Sequence, residues 1–383
     1  LAASKNNKPH CILLYGNSDF PTFRSGGPFR IATELRNNDY IVQCIDFSAF
    51  NTFYNDDFKE ILTNLISEDT LWVGISTTFF RSLFGIPWLR LHHSLEIFIE
   101  KNPTVENEIA EFVTFIKSLN PKIQLITGGA RFYDFQKYGF KMFTGFNDTE
   151  IVEFTDQCAE KNLNLNLKLK YQASTIHGTE FADFHSSTIR YEKSDIIFDK
   201  ERMPIEIARG CIFKCKFCAY ELNGKTKGEW IKRSDVLLAE MTRNYEMFGI
   251  QHYLFTDDTY NDSVDKVKRL YDEVYSKLKF KITFSTYLRL DLIIRNPETA
   301  KYLAESGLES AVFGIETLNH ASGKVIGKGI NPKIQMEFVR QLKQNEFKNV
   351  LLHSGFILGL PHDTYDTCVE TERFLLSDEN PLD

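Results

Sequence analysis

Apolar residues along the chain follow two patterns. Short unbroken apolar runs alternate with longer stretches in which apolar residues recur at helical spacing. These are the signatures of buried strands and one-sided helices. In the first part, His10–Tyr15, Tyr40–Phe47, Leu71–Ser76, Lys122–Thr127 and Lys141–Gly145 read as strands. Helical spacing runs over Phe29–Arg36, Phe58–Ile66, Glu106–Leu119 and Thr149–Ala159. Within Glu106–Leu119, Ile109, Phe112, Val113, Ile116 and Leu119 share one face. Strands alternating with helices at these lengths predict a parallel sheet covered on both faces. Five strands suit the flavodoxin-like, Rossmann-like doubly wound order, in which ligands sit beyond the carboxyl ends of the strands. Those ends are residues 16–27, 76–81 and 128–131. Residues 80–105 are aromatic-rich, hold His92 and His93, and insert between the third strand and its helix. They read as a packed surface helix or as a lid. The packed helix is favoured, because adjacent histidines do not share a helix face.

The alternation lapses over 166–204, a mixed polar and aromatic stretch read as an ordered interdomain connector. Its length argues against a free linker. The alternation resumes with strands at Ile205–Ala208, Tyr253–Thr256, Ile282–Ser285, Ser310–Gly314 and Val350–Leu358. Helices are predicted at Ser234–Phe248, Val264–Leu278, Pro297–Ser306, Pro332–Asn345 and Tyr365–Leu376, with Ser234 as an N-cap. The chain thus divides into 1–165, the connector 166–204, and a second α/β domain over 205–383.

Composition changes this picture little. With 43% hydrophobic and 25% charged residues the chain is globular. A net charge of −7 gives no broad attraction to nucleic acid. No uncharged apolar run is long enough to span a bilayer and no secretory leader is legible, so the cytoplasm is the expected location and no membrane partner is expected. Seven cysteines in 383 residues do not make a disulfide framework.

Three of those cysteines are clustered, and they carry the chemistry. Arg209-Gly210-Cys211-Ile212-Phe213-Lys214-Cys215-Lys216-Phe217-Cys218-Ala219-Tyr220 spaces Cys211, Cys215 and Cys218 as CxxxCxxC, directly after a strand. Thiolates this close can converge on one soft metal centre from a single loop. An iron–sulfur cubane takes four ligands, typically all Cys. Three leave one iron open for a small chelating molecule. A structural zinc site, usually closed by four ligands in pairs, remains the alternative, although the chain has no second CxxC or HxxxH pair. Lys214, Lys216, Lys225 and Lys227 bracket the thiolates. They read as a solvated loop or as charge favouring thiolates, and Lys214 and Lys216 also as a docking point for an acidic electron donor.

This spacing, with Phe217 before the third Cys and Arg-Gly before the first, resembles the signature of the radical S-adenosylmethionine (SAM) enzymes. The resemblance implies a 4Fe-4S cluster on Cys211, Cys215 and Cys218, with SAM chelated at the open iron and cleaved reductively to a 5′-deoxyadenosyl radical. It implies a partial (β/α)6 barrel, of which five units are legible here. The last strand and any C-terminal region are expected to lie past residue 383. Phe217 and Tyr220 would sit near the adenine. Asp257, Asp258 and Thr259 take the place of the family's glycine-rich second-strand motif, from which this sequence departs. Arg289 would approach the SAM carboxylate, Glu316 the ribose or ammonium, and Gly359 the adenine side. The acids and Arg289 also have plainer readings: helix N-caps for Asp257, Asp258 and Glu316, and an ion pair with Asp291 or Glu316 for Arg289.

The first domain is similar to the cobalamin-binding domain that precedes many radical SAM domains. Ser76, Gly128 and Gly129 fall where that family lines the nucleotide tail, although each is also a common turn residue. The Asp-x-His-x-x-Gly lower-ligand motif is absent, since the first loop reads Gly16-Asn17-Ser18-Asp19-Phe20-Pro21. Three functions therefore stay open. One is a radical SAM enzyme performing cobalamin-dependent methyl transfer. The second is a cobalamin-independent tailoring enzyme, methylthiotransferase-like, with a vestigial first domain. The third is a non-enzymatic zinc module. The expected partners of the enzyme are a flavodoxin or ferredoxin electron donor and a substrate that the sequence does not identify.

Overall fold

The computed structural model describes residues 8–16, 24–47, 50, 53–78, 103–129, 135–163, 175–178, 183–218 and 222–383. The chain separates into two compact units, 1–183 with 189–198 and 184–188 with 199–383.

In the first unit the strands are β1 (Cys11–Tyr15), β2 (Val42–Asp46), β3 (Trp72–Ser76), β4 (Gln124–Gly128), β5 (Lys141–Thr144) and β6 (Thr175–His177). They pair in the order β2-β1-β3-β4-β5-β6, all parallel. This is the doubly wound order expected, extended by one edge strand. That strand forms within 166–204, where three residues are too few to show a period.

Residues of β3 alternate between the two covered faces. Val73 and Ile75 join Phe58, Phe112 and Ile116 in one buried cluster. Phe53 stacks on Phe112 there, with ring centroids 4.0 Å apart. Fully buried Trp72 donates its indole N–H to Thr155 Oγ1 at 2.9 Å, on helix Asp148–Leu163. Helix Gly26–Asn37 packs beside that helix, and its Arg36 forms a two-pronged pair with Asp195, at 2.8 and 2.7 Å. Both side chains are buried, so residues 189–198 belong to this unit by a desolvated ion pair.

The second unit carries β7 (Met203–Ile205), β8 (His252–Phe255), β9 (Thr283–Leu288), β10 (Leu308–Glu316) and β11 (Leu351–Phe356). They pair in the order β11-β10-β9-β8-β7, every neighbour parallel. All five carboxyl ends therefore open on one edge. Helices Ser234–Phe248, Val264–Glu273, Glu298–Glu305, Pro332–Gln344 and Tyr365–Leu375 alternate with the strands.

Four local readings change. The first strand stops at Ile205 rather than Ala208, because the N–H groups of Ile207 and Ala208 bond elsewhere. The helix from Val264 ends at Glu273, where Val274 leaves helical geometry. Ser234 is the first helical residue and Arg233 the cap. The following helices are capped by Ser263 and Asn319, not by Asp257, Asp258 or Glu316.

Of the expected insert at 80–105, residues 80–102, with His92 and His93, lie outside the described residues. So do Tyr220, most of the first loop and the glycine-loop end at 130–131. From Pro103 to Leu119 the chain is helix.

Candidate functional site

The cysteine loop leaves β7 and folds back beside it. Arg209 N–H donates to Trp230 O, and Lys232 N–H to Ile207 O. At Gly210 the backbone turns left-handed, with φ +80°. A Cβ there would stand 3.0 Å from Leu222 O. Only glycine meets both conditions. Beyond it, Cys211 donates its N–H to Leu222 O, and its carbonyl accepts from Gly224 and Lys225. Lys216 N–H reaches Ile326 O, and Asn223 Nδ2 reaches Cys218 O. Lys225 turns inward and donates Nζ–H to Arg209 O at 2.6 Å, while burial lowers its pKa. Lys214 and Lys216 are exposed. Cys211 and Cys215 are half-buried and Cys218 is exposed.

Residues 257–262, just past β8, reach the strands on either side. Asp257 is 1% exposed and accepts N–H bonds from Ile207 and Ala208 on one oxygen, at 3.0 and 3.1 Å. Burial raises its pKa, against Lys266 at 3.8 Å and those two donors. Its carboxylate thus faces the backbone that launches the cysteine loop. Asp258 is exposed. Thr259 is buried, with Oγ1 3.3 Å from Cys211 Sγ. Asn261 clamps Arg289, accepting from its N–H and donating to its carbonyl at 2.8 and 2.9 Å. Asp262 holds the Lys266 ammonium at 2.7 Å.

Arg289, at the end of β9, is 7% exposed and engaged on three sides. Its Nε and Nη2 donate to the two oxygens of Asp291 at 2.8 and 2.9 Å. Its Nη1 points at Cys215 Sγ, 3.5 Å away. Its guanidinium lies 3.8 Å over the Phe213 ring. Burial works against the charge, but Asp291 and Cys215 outweigh it and raise the pKa. Its ion pair with Asp291 is therefore real, and it coexists with a place beside the thiol.

Glu316 ends β10 after a register shift and holds φ +71°, a strained value for a residue with a side chain. Opposite it stands Lys328, which sequence reasoning missed. Its Nζ donates to Gly314 O at 2.7 Å, lies 3.7 Å from Glu316 Oε1 and 6.0 Å from the Phe217 ring centroid. Burial, and then Arg289, lower the Lys328 pKa. Burial raises that of Glu316, with Lys328 opposing. One lysine among many carries no spacing signal, which is why the pattern did not reveal it. Gly359 is exposed, at φ +83°, in a turn held by Asp363. Asp363 also accepts from Asn319 and Ser322.

In the first unit, Ser76 and Gly128 are register partners at the carboxyl ends of β3 and β4. Gly129 follows with φ +122°, and a Cβ there would meet the Thr77 and Thr78 hydroxyls at 2.9 and 2.8 Å. Thr77, not singled out from the sequence, donates both its N–H and its hydroxyl to Gly128 O.

Residues 205–375 match the family described as the Radical SAM superfamily. Over that stretch the chain is similar to radical SAM domains. Its curated relatives include an uncharacterized methyltransferase, PH0819, of Pyrococcus horikoshii. That relative is 28% identical over 174 residues, covering 44% of this chain and 35% of its own length. Another is an anaerobic magnesium-protoporphyrin IX monomethyl ester cyclase of a Synechocystis species, 26% identical over 38% of this chain and 29% of the relative. The chain thus spans about a third of the curated relatives it matches.

Among solved structures, the cobalamin-dependent SAM radical enzyme OxsB, with aqua-cobalamin and SAM bound, covers 98% of this chain and 53% of its own. Its TM-score is 0.66 and its identity 16%. The radical SAM methyltransferase TsrM from Kitasatospora setae, with tryptophan and a SAM analogue, covers 96% of this chain and 71% of its own. Its TM-score is 0.65 and its identity 17%. At these identities the likeness is one of fold.

The donor set of the cysteine loop suits an iron–sulfur cluster. Two of the three sulfurs lie beside buried hydrogen-bond donors, and the loop that carries them is fastened along its backbone. Among the described residues no group of three His, Cys, Asp or Glu side chains is placed to hold a metal ion. No helix among the described residues is long and apolar enough to cross a membrane.

Proposed function

We propose that this chain is the catalytic part of a radical SAM enzyme, with Cys211, Cys215 and Cys218 as the ligands of a 4Fe-4S cluster. The observation that supports this best is the CxxxCxxC loop at the carboxyl end of the first strand of a parallel sheet, within a matched radical SAM domain. Chemistry of α/β barrels gathers at that edge. When bound, the cluster supplies an open iron for SAM and one electron for its cleavage.

The residues around it bind, orient and exclude water. Lys328 and Glu316 present opposite charges beside Phe217, suited to the carboxylate and ammonium of an amino-acid moiety. Phe217 is 37% exposed and offers a ring face for the adenine. Asp258, exposed at the end of β8, is a second acceptor for an ammonium. Gly359 leaves room beside the last strand, since a Cβ there would meet nothing within 4 Å. Asp257 and Arg289 hold the loop and are less suited to contact SAM.

Cobalamin-dependent methyl transfer is the preferred reaction. The neighbours that cover both units carry cobalamin, and Ser76, Gly128 and Gly129 leave a small-residue edge in the first unit. A cobalamin-independent, methylthiotransferase-like enzyme is the second reading, favoured by the missing histidine in the 16–21 loop. A flavodoxin or ferredoxin is the expected electron donor.

The test is product analysis. Full-length protein, reconstituted anaerobically with iron and sulfide, is given SAM and dithionite with and without cobalamin. We expect 5′-deoxyadenosine or S-adenosylhomocysteine, lost on changing any one of the three cysteines to alanine. A colourless protein that leaves SAM intact would refute the proposal. Cobalamin addition without a visible-band shift would select the second reading.

A further inference from the structure

We propose that Thr259 and Arg289 are positioning residues that set the reduction potential of the cluster, each by a hydrogen bond to one cysteine sulfur. The inference rests on the cluster assignment above.

Thr259 Oγ1 lies 3.3 Å from Cys211 Sγ and 2.8 Å from its neighbour's carbonyl, Asp258 O. A hydroxyl has one hydrogen, so the two acceptors compete. A metal-bound Cys211 is a thiolate and has no S–H to give. The hydroxyl must then donate to sulfur or make no bond there. A charge-assisted bond is roughly twice as strong as a neutral one, so the hydrogen turns to the sulfur. Asp258 is exposed, and water can satisfy its carbonyl.

Arg289 serves Cys215 in the same way, with Nη1 at 3.5 Å. Its other edge is spent on Asp291 and its face lies on Phe213, so the guanidinium has little freedom to turn away. Both donors are placed by one short segment. Asn261 fixes the Arg289 backbone from both sides, Thr259 stands two residues before it, and Asp257 pins the strand end that leads to Cys211.

Hydrogen bonds to cluster sulfurs raise the potential, because they stabilise the more negative, reduced state. Reduction here is the entry of one electron from an external low-potential donor, with no bond made or broken in the protein. Losing a donor makes that step harder.

The test is an EPR-monitored potentiometric titration of the reconstituted full-length protein, with iron and sulfide measured on every sample. Thr259→Val keeps the shape and removes the donor. It is expected to keep wild-type iron and to lower the reduction equilibrium constant about tenfold, a shift of about 59 mV for one electron. Thr259→Ser should restore the wild-type value. Arg289→Lys should shift the potential in the same direction. A Thr259→Val protein with full iron and an unshifted potential overturns the proposal, as does a Thr259→Ser protein that shifts equally. Iron lost from Thr259→Val would make the hydroxyl an assembly residue and also overturn it. Wild-type protein that takes up no iron or sulfide refutes the cluster assignment instead.

Discussion

Asp257 is the residue on which the cysteine loop is set. Two backbone N–H groups, those of Ile207 and Ala208, depend on one of its oxygens in a site closed to water. A buried donor left without a partner costs about 1–3 kcal/mol. Asp257→Ala should therefore destabilise the cluster-free protein by about 2–4 kcal/mol in urea unfolding, whereas Asp257→Asn keeps the acceptor oxygen and should lose less than half as much. Equal losses would remove this role. Asp291 gives the acid dependence. Burial alone would raise its pKa, but the hydrogen bonds and charge of Arg289 outweigh burial and hold it below the usual carboxylate range. A depressed carboxyl contributes stability above its unfolded pKa of about 3.9, and that contribution is lost as pH falls through the lower folded value. The stability gap between wild type and Asp291→Asn should be widest near neutral pH and close on acidification. A gap that widens below pH 4 would reverse the assignment.

At this scale the sequence showed which residues matter more clearly than what they touch. The three cysteines were legible because their spacing is rare. Arg289 and Asp257 were legible as strand-end charges, but not as partners of a thiol and a backbone, because those contacts join residues 74 and about 50 positions apart. Lys328 reaches its place just past a short helix that no pattern marked.

Among the elements, strand and helix order was legible because buried parallel strands are short apolar runs with helices between them. Ends were less so. The Ile205 strand stops short because tertiary hydrogen bonds, not local propensity, decide its end, and the Val264 helix stops where Val274 leaves helical geometry and a short 3-10 turn follows. The Arg36–Asp195 pair shows the same limit, since it recruits residues 189–198, which carry no period, to the first unit. Removing one partner of such a buried pair costs about 3–5 kcal/mol. Arg36→Ala should produce a loss of that size and raise hydrogen exchange over 189–198. Unchanged protection there would mean that the pair does not hold the segment. Gly210→Ala should lower iron uptake, because a left-handed turn and a carbonyl 3.0 Å away both oppose a side chain. Wild-type iron in that variant would show that the turn can relax.

For the whole molecule, the lapse in alternation suggested a division into 1–165, a connector over 166–204 and 205–383, whereas the two compact units are 1–183 with 189–198 and 184–188 with 199–383. The doubly wound order of the first and the open parallel order of the second follow from the same alternation. Substrate identity is not legible at this scale, because nothing in a strand–helix repeat encodes it, and the chain spans about a third of its curated relatives. The measurement closest to the central claim is the metal content of the full-length protein purified without oxygen. The account predicts about four iron and four sulfide per chain, falling sharply when Cys215 is changed to alanine. One zinc per chain, with neither iron nor sulfide, would contradict it.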